Sequence, residues 1–339
     1  MKRKKWTKAE FEQQIKTLEG YKVFAPVQVD DVAVFAPVGK DDTLALDKPN
    51  TKTSVKSVLF PQTETLFCYK RRGKNAVIED VPLDDEKKVV FGVRPCDVAS
   101  LGVLDAVFLS DDYIDPYYKR RRENTTIVAA ACNDPEPTCF CTSMGGGPWS
   151  REGADVFTYD IGDYFVAESV TEKGDALLDA CGGEDVPDAD PAVETLKEKA
   201  EQAMEKVKLG DLPSNLKTMF DDPRWEAIAE RCIGCGVCSY ICPTCHCFDI
   251  QDQAGHEGGK RVRNWDSCMF PIFSLHASGH NPRTDQHQRI RQRIMHKFSY
   301  FKENLDQVAC VGCGRCIQSC PANIDIREII ELLEAKQDG

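Results

Sequence analysis

Two stretches of the chain, RCIGCGVCSYICP from residue 231 and CVGCGRCIQSCP from residue 310, share the spacing C-x2-C-x2-C-x3-C-P. The first supplies Cys232, Cys235, Cys238 and Cys242, followed by Pro243; the second supplies Cys310, Cys313, Cys316 and Cys320, followed by Pro321. A 4Fe–4S cubane offers four irons, each wanting one thiolate. Two-residue gaps let three thiolates of one turning loop reach three corners of the same cube. Gly234, Gly236, Gly312 and Gly314 let the backbone come close and aim N–H groups at the sulfurs. The fourth cysteine, with proline after it, leaves in a new direction and commonly serves the neighbouring cluster. The spacing therefore predicts one cluster on Cys232, Cys235, Cys238 and Cys320, and a second on Cys310, Cys313, Cys316 and Cys242. Zinc sites favour two separated pairs of cysteines and fit this spacing poorly.

A second set is more open: Cys96 in RPCD, Cys132 in AACNDP, and Cys139 and Cys141 in TCFC. Each falls where an expected strand ends or in the loop beside it, so the four are able to converge at one end of a sheet. An additional iron–sulfur cluster, buried structural cysteines and a zinc site are the three readings. Gly145, Gly146, Gly147 and Pro148 form a close-approach loop nearby, weak as a phosphate cradle because no helix pattern clearly follows. A third group, Cys245, Cys247 and Cys268, reads as packing beside a cluster, although His246 and His256 invite a metal. Cys68 and Cys181 are isolated and read as structural.

The elements that must hold these residues divide at about residue 187. Thr7 to Glu10 is a capping box opening a short helix. YKVFAPV, VAVFAPV, SVKSVLF, NAVIEDV and KKVVFGV read as strands. VVFGVRPCDVASLGVLDAVFL reads as buried strand, turn at Pro95 and helix; TTIVAAACNDPEP repeats the buried strand, and a hairpin is expected around Ile161, Gly162 and Asp163. From residue 188 helix formers dominate up to Gly210. A short helix follows Asp222 and Pro223, another is expected over 284–303, and a last one starts at Asp325. The expected class is α+β: a mixed α/β domain over 1–187, a helical connector over 188–221, and an α-helical dicluster ferredoxin domain over 222–339. The link between the motifs, residues 243–309, is expected to be helix-rich.

The whole chain has 339 residues, 17 of them cysteine, and a formal net charge of −12. That balance argues against nucleic-acid binding, which needs a concentrated positive surface. The basic runs at 119–122 and 283–302 read as solvated faces or a docking face for a partner. No apolar run is long enough for a membrane span, and the basic N-terminus lacks a signal peptide's apolar segment. A cytoplasmic protein is expected, with reduced thiols and no disulfide framework. No G-x-G-x-x-G follows a strand, so neither flavin nor NAD is expected in this chain. No nucleophile–base pair stands out either. Arg315, inside the second motif, is a candidate for raising that cluster's potential, against a plain surface arginine; its replacement by glutamine is expected to lower one midpoint.

RPCDVASLGVLD, DPYYKRRR, CFCTSMGGGP, DIGDYFVAE, PTCHCFD, WDSCMF, HKFSYF and CVGCGRCIQSCP together resemble the family of the sulfhydrogenase β subunit and its counterpart in anaerobic sulfite reductase, over about residues 55–330. The resemblance implies a non-catalytic electron-transfer subunit of a cytoplasmic oxidoreductase complex. Its partners would be a flavoprotein subunit that handles FAD and NAD(P)H and a catalytic subunit of hydrogenase, sulfite reductase or heterodisulfide-reductase type. The family's N-terminal blocks match at Cys96, Cys132, Cys139 and Cys141, which favours a third cluster there. The rival readings are an iron–sulfur sensor or regulatory protein and a self-sufficient reductase with an N-terminal cofactor.

Overall fold

A computed structural model describes residues 2–186 and 192–335. The strands are β1 (Arg3–Thr7), β2 (Lys22–Val29), β3 (Val32–Pro37), β4 (Thr63–Arg72), β5 (Asn75–Asp80), β6 (Lys88–Val93), β7 (Thr125–Ala130), β8 (Val156–Asp160), β9 (Tyr164–Ser169), β10 (Glu184–Asp185), β11 (Phe248–Ala254) and β12 (Gly258–Trp265). They form an eight-stranded sheet in the order β10-β1-β9-β8-β7-β6-β2-β3 and a four-stranded sheet in the order β11-β12-β4-β5. In the large sheet β2, β6, β7 and β8 run parallel, and the flanking strands are antiparallel.

The parallel strands are buried on both faces, which is why KVVFGV and TTIVAA read as unbroken apolar runs. Alternate residues separate into two cores. Val90, Ile127 and Phe157 pack under the helix Pro95–Phe108, with Val98, Leu101 and Leu104. Val89, Phe91, Val128 and Val156 face the opposite side, against Phe11, Ile15, Leu177 and Leu178. The capping box at Thr7 and Glu10 is present and opens the helix Lys8–Thr17.

A third core holds the C-terminal half, where Trp225, Ile290, Ile294, Phe298 and Ile330 are all buried. Asp325 caps the last helix, Ile326–Glu334. The expected helix over 284–303 begins at Gln286 as an α-helix to Met295, makes a π-helical turn over His296–Tyr300, and ends as Phe301–Leu305.

Three expectations are corrected, on SVKSVLF, the link and the C-terminal module, and one strand is added. SVKSVLF is not a strand but contains the short helix Lys56–Leu59, whose buried Lys56, Val58 and Leu59 turn inward. The charged N-terminus forms β1, paired to β9 and β10. The link between the motifs is not simply helical, because it contains the β11–β12 hairpin. That hairpin pairs with β4, so the small sheet takes strands from both sides of the expected division, and residues 222–339 are not an all-helical module. The expected boundary itself, at 187/188, lies outside the described residues. Among the described residues no helix is long and apolar enough to cross a membrane.

Candidate metal centres

The two cysteine motifs fold alike. Gly234 and Gly236 have φ of 69° and 73°, and Gly312 and Gly314 have φ of 64° and 73°. These left-handed positions turn each loop back on itself and start a single helical turn, Val237–Tyr240 within the first motif and Arg315–Gln318 within the second. The close approach is as strict as the dihedral. A Cβ on Gly236 would stand 2.6 Å from the Phe270 ring, and one on Gly314 would stand 2.5 Å from the Thr138 carbonyl oxygen.

Cys232, Cys235, Cys238 and Cys320 line one cleft together with Cys316, walled by Met269, Ile290 and Ile294. Gln286 Nε2 donates to Cys232 Sγ at 3.1 Å, and the Ile324 backbone N–H donates to Cys320 Sγ at 3.3 Å. Cys235 is exposed, so this cleft has the shortest path to solvent. Of the remaining four thiols, Cys242 and Cys313 are buried. Cys242 is near enough to perturb Cys310, Cys313 and Cys316, and burial pushes the Cys310 thiol up to about 11. Cys242 moves the other way: a hydrogen bond from the Cys245 thiol, aided by the Lys297 and Arg293 charges, holds it well below the usual thiol range.

The N-terminal four also come together. Cys96 opens the helix after β6, Cys132 follows β7, and Cys139 and Cys141 pack with Cys96 around Met204. Burial pushes Cys139 up to about 11 and Cys141 up to about 12, with Cys132 adding to both shifts. Their loop is docked on the second motif. Phe140 N donates to Gly312 O at 2.8 Å, while Asn50 Nδ2 reaches Cys313 O at 3.0 Å and Cys139 Sγ at 3.5 Å. Asn50 Oδ1, Thr138 Oγ1 and Thr142 Oγ1 are buried beside these thiols without a partner.

The third group sits at the root of the β11–β12 hairpin, with Cys245 hydrogen-bonded to Cys242 and Cys247 to Cys268. His246 turns away from the thiols; its Nδ1 lies 3.0 Å from Thr244 O, and its ring faces His296 and Phe301. His256 belongs to the exposed turn of the same hairpin. Cys68 lies on β4, and Cys181 is buried at the end of the helix Glu172–Cys181.

Three buried cations carry no signal in the sequence. Lys56, Arg293 and Lys297 are only 2%, 7% and 3% exposed. Lys56 Nζ donates to the carbonyls of Tyr240 and Cys245 and lies 3.9 Å from the centre of the Trp265 ring. Lys297 Nζ donates to Cys242 Sγ at 3.2 Å, Thr244 Oγ1 at 3.0 Å and Ala309 O at 2.9 Å. Arg293 donates to Cys238 O, lies close to Cys238 and Cys316, and leaves its Nε without a partner. Arg293 and Lys297 belong to the basic run over 283–302, so this part of the run is neither a solvated nor a docking face. Arg121 in the run over 119–122 is likewise buried, on Glu64. Arg315, 2% exposed, is no surface arginine: it forks onto Asp97 at 2.6 and 2.7 Å and donates to Thr51 O.

Burying a cation without a counter-charge costs several kcal/mol. Among the described residues no carboxylate pairs with Lys56, Arg293 or Lys297; their neighbours are thiols. A cubane with its four thiolates is anionic, so the residues present fit that group in charge as well as in donor type. Among the described residues no three or more His, Cys, Asp or Glu side chains gather closely enough for a single metal ion.

Residues 231–324 match the family model of the 4Fe–4S dicluster domain. No solved structure matches. Sulfhydrogenase 2 subunit beta of Pyrococcus furiosus is 33% identical over 331 residues, covering 94% of this chain and 93% of that protein. With both motifs inside the dicluster match and the likeness running through nearly the whole chain, the protein belongs to the sulfhydrogenase β-subunit family, as an iron–sulfur electron-transfer subunit of a hydrogenase-type oxidoreductase.

Proposed function

We propose that this chain is the electron conduit between a flavoprotein subunit that handles NAD(P)H and a catalytic subunit of hydrogenase type, with three 4Fe–4S clusters and no flavin of its own. The outer cluster would be held by Cys232, Cys235, Cys238 and Cys320, and the inner one by Cys310, Cys313, Cys316 and Cys242. Cys96, Cys132, Cys139 and Cys141 would hold the third. A bound cubane supplies one-electron redox chemistry; the chain supplies thiolates, N–H···S hydrogen bonds, cations and exclusion of water, which set each potential.

The observation that carries this reading is the serial contact of the three thiol sets. The N-terminal set touches the second motif through Phe140 and Gly312, and Arg293 lies beside both Cys316 and Cys238. Cys235 and the 70%-exposed Ile233 then bring the outer set to the surface. A sensor needs no such succession. The crossed ligation is supported by Cys320 facing the first motif and Cys242 facing the second.

The test is metal analysis with EPR on anaerobically purified protein. About twelve irons per chain are expected, four for each cubane. Cys132→Ser should lower this by about four and leave two cluster signals. Wild-type protein with about eight irons, unchanged by Cys132→Ser, would remove the third cluster. NAD(P)H-driven reduction of an acceptor by the isolated chain, without a flavoprotein, would favour the self-sufficient reductase instead.

A further inference from the structure

We infer that Lys297 is the residue that sets the inner cluster's potential, holding it above the value its thiolates alone would give. The inference rests on the reading that Cys242 is a ligand of the cluster on Cys310, Cys313 and Cys316.

The geometry is unusually committed. Lys297 is 3% exposed, and its ammonium has three donors. All three directions are used: on Cys242 Sγ at 3.2 Å, Thr244 Oγ1 at 3.0 Å and Ala309 O at 2.9 Å. Thr244 is itself fixed, because its hydroxyl donates to Ala309 O at 2.8 Å. The ammonium therefore clamps the segment after the first motif to the segment before the second. It cannot swing to another partner without leaving a buried charge bare. The backbone is shaped for this as well. Lys297 lies in the π-helical turn His296–Tyr300, a local widening that is commonly retained at functional sites. Ala309 N donates back to Lys297 O at 2.7 Å, which ties that turn to the second motif.

The chemistry follows from charge. Reduction adds one electron to an already anionic group in a dry interior. A fixed cation at hydrogen-bond distance from a ligand sulfur stabilises the more negative state and raises the potential. Arg293, one turn earlier on the same helix, stands between Cys238 and Cys316 and favours both sites. Lys297 sits at Cys242 and also neighbours Cys310, both assigned to the inner set. The outer set has instead the neutral Gln286 amide on Cys232 and the exposed Cys235. Lys297 thus makes the inner site the preferred resting place for an electron.

Anaerobic redox titration of the full chain, following each cluster by EPR, tests this. Lys297→Met should keep the wild-type iron content and lower one midpoint by about 59 mV or more, a tenfold change in a one-electron equilibrium. Lys297→Arg should recover most of that shift. An unchanged midpoint in Lys297→Met overturns the inference. Cys242→Ser tests the underlying reading separately: the same cluster signal should be lost or altered, and survival of every signal unaltered rejects the ligand assignment. Where Lys297→Met does not assemble the cluster, Lys297→Gln keeps an N–H donor without the charge. A lowered midpoint then supports the role, and an unchanged one overturns it. Loss of the cluster in both neutral variants supports the role if Lys297→Arg assembles it, and overturns it if Lys297→Arg also fails.

Discussion

Asp97 and Arg315 show how much one buried pair decides. Asp97 is fully buried at the start of the helix Pro95–Phe108, and Arg315 reaches it from the second cysteine motif. Sequence alone offered Arg315 as a bare positive charge beside a cluster. The carboxylate now beside it offsets most of that charge, so Lys297, with no carboxylate, takes the larger part. Asp97→Asn should therefore raise the inner cluster's midpoint, the opposite sign to Lys297→Met. It should also lower unfolding free energy by about 3 kcal/mol, as expected when one partner of a buried pair is removed. Redox titration and anaerobic denaturant unfolding read the two effects, and an unchanged midpoint would mean that Arg315 is electrically remote from the cluster. The two cysteine motifs were legible as a dicluster domain because a cubane's demands on spacing are local in sequence. Lys56, Arg293 and Lys297 were not, because burial of a charge is set by distant neighbours, and in a run of basic residues nothing separates the buried from the solvated.

Among the elements, the loop carrying Cys139 and Cys141 depends on two glycines that belong to another part of the chain. A Cβ on Gly312 would lie 2.5 Å from the Phe140 carbonyl oxygen, at a φ of 64° that already disfavours a side chain. Gly312→Ala should push the Thr138–Cys141 loop off the second motif and cost the protein about four irons. Gly102→Ala is the control. That glycine is helical, with nothing within 4 Å of its Cβ position, and the change should be neutral or stabilise by about 0.4–1 kcal/mol. Equal iron content in both variants would mean that the loop does not need the contact. The buried parallel strands were read correctly because their centres are apolar, as in Val89–Phe91 of β6 and Ile127–Ala130 of β7. The β11–β12 hairpin escaped because FDIQDQA and GGKRVRNW are mostly polar, and the alternation of Phe248 and Ile250 is too short to mark a strand. β11 is exposed along nearly its whole length, so pairing rather than burial defines it. SVKSVLF misled for the reverse reason: a short apolar run fits a buried helical turn as well as a strand.

At the scale of the molecule, the expected division near residue 222 separates segments that the structure weaves together. β12 pairs with β4 over seven residues of its length. Behind that pairing, Arg263 of β12 bridges Glu64 of β4 and Asp115 at the start of the helix Pro116–Asn124, while Glu64 also takes Arg121. All four side chains are buried, so cutting the chain would strand charges as well as unpaired strand edges. The large sheet with its two cores accounts for residues before the cut, but its cysteine loop rests on the second motif, after the cut. Expressed separately, residues 1–221 and 222–339 should each be poorly soluble and fall well short of their share of iron, while the two co-expressed halves should associate through the small sheet and regain it. Soluble, fully loaded halves that do not bind one another would show that the thiol sets fold as independent modules. The contacts that join them would then be docking between modules rather than part of one fold.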